Sequence, residues 1–174
     1  LKLNKKQFIK DVIEWDVLNW AKCLDFWTPY IETNNDLKVL TVGERNGGLS
    51  LWFAEKGLTV VATDKHGLTD IGKAIHRKYD LNAYINYDMC DITKLKYSDS
   101  SFDIVAFKSV LGGLKTYEKE TQAVNEMYRI LKPNGVLLFA EQVEGFFIHK
   151  YFRNKFNKFR WIYSDYHETK ALFN

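Results

Sequence analysis

The sequence predicts an α/β domain organised as a doubly wound, mostly parallel sheet, on two observations. From residue 37 onward, short apolar runs alternate with helix-spaced patterns, the order that builds a parallel sheet covered on both faces. The first run, residues 37–42, feeds the turn Gly43-Glu44-Arg45-Asn46-Gly47-Gly48 and then the start of a helix. Asp64 follows Gly43 by twenty-one residues and closes a second apolar run, residues 58–63. A glycine turn feeding a helix, with an acid about 20 residues on, is the layout of nucleotide-cofactor sites on such sheets. The glycines let backbone approach a ligand, the helix N-terminus presents free N–H groups, and the acid accepts from ribose hydroxyls.

Taken in order, the first thirty residues carry one helical stripe, Ile13, Val17, Trp20, Leu24 and Trp27. Asn4 with Gln7 resembles a capping box at its start, and Pro29 ends the pattern. Two readings of the stripe stand. It is core that covers one edge of the sheet, or it is a lid over the ligand with Trp15 or Trp20 lining the pocket. Strands are expected at 38–42, 59–63, 83–87, 102–107 and 136–140. A helix over 47–56 stops at Gly57, the residue type favoured past a helix C-terminus. A second helix over 117–131 places Val124, Met127, Tyr128 and Leu131 on one buried face, and Pro133-Asn134-Gly135 then makes a turn. Residues 164–173 read as a short helix. With no repeat, low-complexity stretch or linker, 1–174 is expected to be one domain. Within it lie a helical cap (1–30), a cofactor-binding core (37–142) and a C-terminal helical segment (146–174).

A chain of 174 residues, 46% hydrophobic and 27% charged, is long enough for one domain with a real core. Its apolar runs are far too short for a membrane span, and no secretory leader is visible. The chain opens on Leu1 instead of Met. Cys23 and Cys90 make no CxxC pair, and the four histidines show no HxxxH pattern, so no metal site is expected. Two isolated cysteines suit reduced thiols and a cytoplasmic location. Lys150, Arg153, Lys155, Lys158 and Arg160 supply +5 of a net charge of +3, which leaves −2 for the rest. Attraction to an anionic partner therefore belongs to residues 150–160, as the solvated side of an amphipathic helix or as a peripheral membrane contact. Nucleic acid is not expected, because no recognised binding motif accompanies the charge.

The turn itself narrows the ligand. A dinucleotide fingerprint has glycine where this chain has Arg45, whose side chain would crowd a pyrophosphate. No GK[ST] follows, which excludes a phosphate-binding P-loop. A nicotinamide oxidoreductase is disfavoured on the same ground. The turn favours a ligand that needs close backbone contact without a phosphate there.

With those residues in place, the chain resembles the class I S-adenosylmethionine-dependent methyltransferases. The likeness is to small single-domain members of the group that includes ubiquinone and menaquinone biosynthesis methyltransferases. It covers about residues 37–142 and rests on five segments in order: 39–47, 60–65, Asp88-Met89-Cys90-Asp91-Ile92, 99–105 and 131–138. The resemblance implies a Rossmann-like fold and S-adenosylmethionine as cofactor. It implies that Gly43, Glu44 and Gly47 line the methionine moiety and that Asp64 holds both ribose hydroxyls. It further implies Lys65 beside the adenosine, Asp91 accepting from the adenine amino group, Cys90 and Ile92 covering the ring, and Lys108 facing the sulfonium. Thr41 stands where the family usually carries an acid, and Arg45 where it carries glycine. The family's closing strand hairpin finds no counterpart in residues 160–174: either the hairpin is missing or the chain is truncated. A missing hairpin would leave strand five at an edge, which a dimer or the basic helix would cover.

The expected reaction is methyl transfer to an oxygen or nitrogen of a small molecule. The alternative is a non-catalytic module of the same fold with a weakened cofactor site. The catalytic residue stays unknown. Glu141, Glu144 and His149 are candidate bases near the end of strand five, although His149 shares a helical stripe with Phe152, Phe156 and Phe159.

Overall fold

The computed structural model describes residues 4–31, 36–143 and 165–173. Five strands, β1 (Lys38–Val42), β2 (Thr59–Asp64), β3 (Ile85–Met89), β4 (Phe102–Lys108) and β5 (Leu131–Ala140), form one sheet in the order β3-β2-β1-β4-β5. Every neighbouring pair is parallel. The chain steps outward from β1 through β2 to β3, then returns to the other side of β1 for β4 and β5. The order thus reverses between β1 and β4, and a crevice opens beyond their carboxyl ends, where open α/β sheets bind ligands.

Helices cover both faces, as the sequence predicts. One face carries α1 (Lys5–Ile13), α2 (Val17–Trp20), α3 (Lys22–Trp27), α4 (Gly48–Glu55) and α5 (Asp70–Lys78). Their core includes Val12, Ile13, Trp27, Leu51 and Phe53 on Val39, Val60 and Ile104. The other face carries α6 (Tyr117–Ile130), with Val124, Met127 and Ile130 against Leu40, Val105 and Phe107. Adjacent strand residues such as Val39 and Leu40 are both fully buried, one in each core. That is why these strands read as continuous apolar runs and not as alternating ones.

Several elements differ from expectation for local reasons. The stripe Ile13–Val17–Trp20–Leu24–Trp27 is spread over three short helices; positive φ at Glu14 (+70) and Asp16 (+43) breaks α1 from α2, and Ala21 separates α2 from α3. Four of its five residues are nevertheless buried, with Val17 partly so, so the burial face was right and the continuity was not. Asn4 caps α1 by accepting from the Gln7 N–H, while the Gln7 side chain turns to Asp11 instead of completing a box. Residues 82–84 form a 3-10 turn, which moves β3 to Ile85–Met89 from the expected 83–87. Tyr128 is exposed, and Ala123 and Ile130 take the burial expected of it. β5 begins at Leu131, paired with Phe102, and Pro133-Asn134-Gly135 lie in an irregularity inside the strand with Asn134 at φ +65. α5, capped by Thr69, was not anticipated.

A further helix, α7 (Tyr166–Ala171), agrees with the reading of 164–173 and opens with a capping box between Asp165 and Glu168. Phe173 just beyond it stacks on Phe139 of β5 at 4.1 Å. The basic stretch 150–160, Glu144 and His149 lie outside the described residues.

Candidate active site

The turn after β1 is strapped to β2 by backbone and carboxylate together. Glu44 N–H donates to the Thr63 carbonyl at 3.0 Å, and Arg45 N–H donates to Asp64 Oδ2 at 3.0 Å. Asp64 Oδ1 accepts from the His66 N–H, so each carboxylate oxygen holds one backbone donor and has a second lone pair to spare. Gly43 (φ +66) and Gly47 (φ +71) are left-handed. A Cβ at Gly47 would strike the His76 ring, whose Nε2 lies 2.8 Å from the Gly47 carbonyl. That carbonyl can only accept, so Nε2 carries the proton and Nδ1 accepts from the Tyr87 hydroxyl at 3.0 Å. Burial lowers the His76 pKa, consistent with a neutral ring.

Glu44 turns inward. It is 6% exposed, and its Oε2 accepts from both the N–H and the hydroxyl of Ser50. Ser50 Oγ is in turn 2.7 Å from Thr41 Oγ1. Burial pushes the Glu44 carboxyl up to about 8. The acid missing at Thr41 on the strand is therefore supplied to the same buried spot from three residues further on.

Beyond β2 and β3, Lys65 Nζ pairs with Asp91 Oδ2 at 2.9 Å. Asp91 Oδ1 accepts from the Thr93 N–H and hydroxyl. The Lys65 bond and these donors pull Asp91 down to about 2. Ile92 is buried in the α6-side core.

Lys108 ends β4. It is 8% exposed, and its Nζ lies 3.2 Å from the Trp15 ring centre and 5.4 Å from that of Trp20. Among the described residues it is the buried side-chain nitrogen without a hydrogen-bond partner. Burial lowers its pKa to about 8, against opposing carboxylates at Glu14 and Glu44. Glu141, just past β5, accepts from the N–H groups of Val110 and Leu111 through Oε2 and of Gln142 through Oε1. It braces the loop after β4, with its pKa raised by burial.

Of the residues picked from sequence, Gly43, Glu44 and Lys108 line one small cavity with Val12, Glu14 and Trp15. Its volume, about 30 Å³, is that of roughly one water molecule, so the Trp15 and Lys108 side chains fill this end of the crevice. Asp64 joins the group through Arg45, Gly47 through the same turn, and Lys65 with Asp91 stands at the neighbouring strand ends. A second cavity of about 290 Å³ lies beside the end of β5, lined by Phe139, Glu141, Val143, Tyr166 and Phe173. Glu14, Ser50 and His76 were missed. A serine inside the apolar run of α4 was the one visible signal, because it needs a buried partner.

A parallel sheet with a glycine turn at its switch point, an acid ending the next strand and no P-loop defines a nucleoside-cofactor domain. The family described as Methyltransferase domain matches residues 40–139. This chain belongs to it, among the class I S-adenosylmethionine-dependent methyltransferases. A demethylmenaquinone methyltransferase of Renibacterium salmoninarum is 35% identical over 130 residues, 74% of this chain and 47% of that one. A ubiquinone/menaquinone biosynthesis C-methyltransferase of Haemophilus ducreyi is 31% identical over 108 residues, 60% of this chain and 40% of that one. The chain thus spans about half the length of the curated relatives it matches. The YcgJ protein of Bacillus subtilis shares the fold with a TM-score of 0.72 at 19% identity, over 88% of this chain and 66% of that one. A SAM-dependent methyltransferase of Methanosarcina mazei gives 0.70 at 18% identity, over 83% and 81%.

S-adenosylmethionine is the family's cofactor, and the donor set here fits it. There are carboxylates at the ends of β2 and β3, an exposed left-handed Gly43 between them and β4, and no GK[ST] phosphate cradle. Among the described residues no group of three or more His, Cys, Asp or Glu could hold a metal ion. No described helix is long and apolar enough to cross a membrane. Cys23 and Cys90 are free thiols.

Proposed function

We propose that this domain transfers the methyl group of S-adenosylmethionine to a small-molecule acceptor. The observation that carries the reading is Asp64, which ends β2 with its carboxylate fixed by the backbone of the glycine turn and one lone pair of each oxygen free. A carboxylate so held can accept from two adjacent ribose hydroxyls. In this reading Asp91 accepts from the adenine amino group, Gly43 and Gly47 admit the methionine end, and Lys65 flanks the adenosine. The cofactor supplies the electrophilic methyl and its own leaving group, so the protein's work is alignment and exclusion of water.

The cofactor would run from β3 across β2 to β1, which leaves the ends of β4 and β5 to the acceptor. The 290 Å³ cavity lined by Phe139 and Phe173 suits an apolar or aromatic molecule there. The acceptor atom we assign is an oxygen or nitrogen. The name of one relative, a C-methyltransferase of ubiquinone/menaquinone biosynthesis, adds a carbon as the competing assignment. A cytoplasmic location accords with the two free thiols.

A second reading, a cofactor-fold module without catalysis, draws on Arg45 in the glycine position and on the small volume left beside Trp15. Titration calorimetry separates the two. Binding of S-adenosylmethionine and S-adenosylhomocysteine is expected, weakened at least about tenfold in Asp64→Ala, the loss of a charged hydrogen-bond acceptor. No heat at saturating cofactor refutes methyl transfer, and tight NADH binding would point to hydride chemistry. Transfer of labelled methyl into metabolite extracts then decides between enzyme and module.

A further inference from the structure

The geometry points to Lys108 as a methyl acceptor in its own right, a self-modification site inside the cofactor crevice. The inference rests on the methyl-transfer reading above. Its ligand is the cofactor itself.

Three features of the site converge on it. Lys108 Nζ lines the same cavity as Gly43 and Glu44, the turn against which the methionine end would lie. The nitrogen is buried and donates no hydrogen bond. Glu14 accepts from Asn46, Glu44 from Ser50, and Glu141 from the backbone of the β4 loop. The faces of Trp15 and Trp20 bracket the amine.

An exposed lysine is a poor nucleophile because it is protonated and hydrated. Lys108 has neither shelter. Burial brings its pKa down to about 8, so part of it is the free amine near neutrality. The groups that face it and set that balance are Glu14 from the α1–α2 turn, Cys23 from α3, Glu44 after β1 and Glu141 after β5. Lys65, the other lysine at these strand ends, is exposed and paired with Asp91 Oδ2 at 2.9 Å, so its nitrogen is already engaged.

The step balances without any other reactant. The Nζ lone pair attacks the methyl carbon, the carbon–sulfur bond breaks, and its electron pair stays on sulfur to give S-adenosylhomocysteine. The ammonium must first give a proton to solvent, since only the free amine carries the lone pair, and the methylated product is again an ammonium. The product suits the site better than the starting amine does. Methylation removes N–H donors that make no hydrogen bond here, and it adds apolar, positively polarised methyls against two indole faces, the recognition chemistry of methyl-lysine cages.

The test is the intact mass and peptide map of the full chain after incubation with S-adenosylmethionine, alongside calorimetric binding of S-adenosylhomocysteine. A gain of one or more CH2 units confined to the Lys108 peptide is expected, rising as pH passes about 8. It should be absent from the Lys65 peptide and from heat-denatured protein. Lys108→Arg and Lys108→Met, checked for the native fold by circular dichroism, should gain no mass. Cofactor binding by the native chain with no added mass at Lys108 overturns the inference and leaves the methyl-transfer reading intact. Mass spread equally over Lys65 and Lys108 overturns it as well, and absence of cofactor binding overturns both readings.

Discussion

Arg45 stands in left-handed backbone at φ +43, where a residue with a Cβ is about 1 kcal/mol worse off than glycine. Two hydrogen bonds hold it there: its N–H donates to Asp64, and its carbonyl accepts from the Thr69 N–H. The turn therefore keeps its shape without the family's glycine, and the side chain points outward as an exposed residue. Arg45→Gly retains both bonds and relieves the backbone, while it adds freedom to the unfolded chain. A net gain of about 0.5 kcal/mol is expected, read as a higher urea midpoint at unchanged slope. A lower midpoint would mean that the arginine side chain itself holds the loop. Sequence spacing disclosed the missing glycine and the missing acid at Thr41 but not their compensation. The inward turn of Glu44 depends on Ser50, a contact between a loop and a helix that no periodicity records.

At the level of elements, Gly48 decides how the N-terminal helices dock. A Cβ there would collide with the Val12 carbonyl at the end of α1, so α1 and α4 touch backbone to side-chain-free backbone. Gly48→Ala is expected to cost about 1–3 kcal/mol, the usual range for overpacking, despite alanine's better helix propensity. Amide exchange in α1 should accelerate more than exchange in α6, since α6 packs on the opposite core. Uniform acceleration would show that α1 does not dock as a separable unit. This docking is what sets Trp15 over Lys108, because Trp15 sits in the break between α1 and α2. The break was illegible in the sequence for a plain reason. Helical spacing reports which face is buried, and residues 13–27 keep that face across a kink that contains neither glycine nor proline. The sheet was legible nearly throughout, because strands buried on both faces leave continuous apolar runs. Its errors fell at β3 and β5, where a 3-10 turn and an in-strand irregularity shift the ends without changing the apolar pattern.

For the whole molecule, the crevice imposes a pH dependence on stability that opposes the usual optimum. Glu44 rises from 4.5 to about 8 in the folded state, so the native chain keeps a proton that the unfolded chain loses. Stability therefore falls as pH climbs through that interval. Glu141, also raised by burial, adds to the same limb. Lys108 falls from 10.5 to about 8, so above pH 8 the unfolded chain holds the extra proton and stability rises again toward 10.5. At about 1.4 kcal/mol per pKa unit, the Glu44 limb is on the order of 5 kcal/mol and the Lys108 limb on the order of 3. The Cys23 thiol, raised from 9.0 to about 11, trims the alkaline limb above pH 9. Asp91, pulled from 3.8 to about 2, acts only below this window, where its stabilising pair with Lys65 is lost as the carboxylate protonates. The expected profile is a trough near pH 8, measured as urea midpoints across the range between 4.5 and 10.5. Glu44→Gln, whose amide oxygen still accepts from Ser50, should flatten the acid limb alone. Lys108→Met, which replaces an unpartnered ammonium by an apolar chain of similar length, should flatten the alkaline limb and raise stability at neutral pH. A maximum at pH 8 in the native chain, or variants that shift both limbs together, would show that water reaches these two side chains and that the crevice stands open before any ligand arrives.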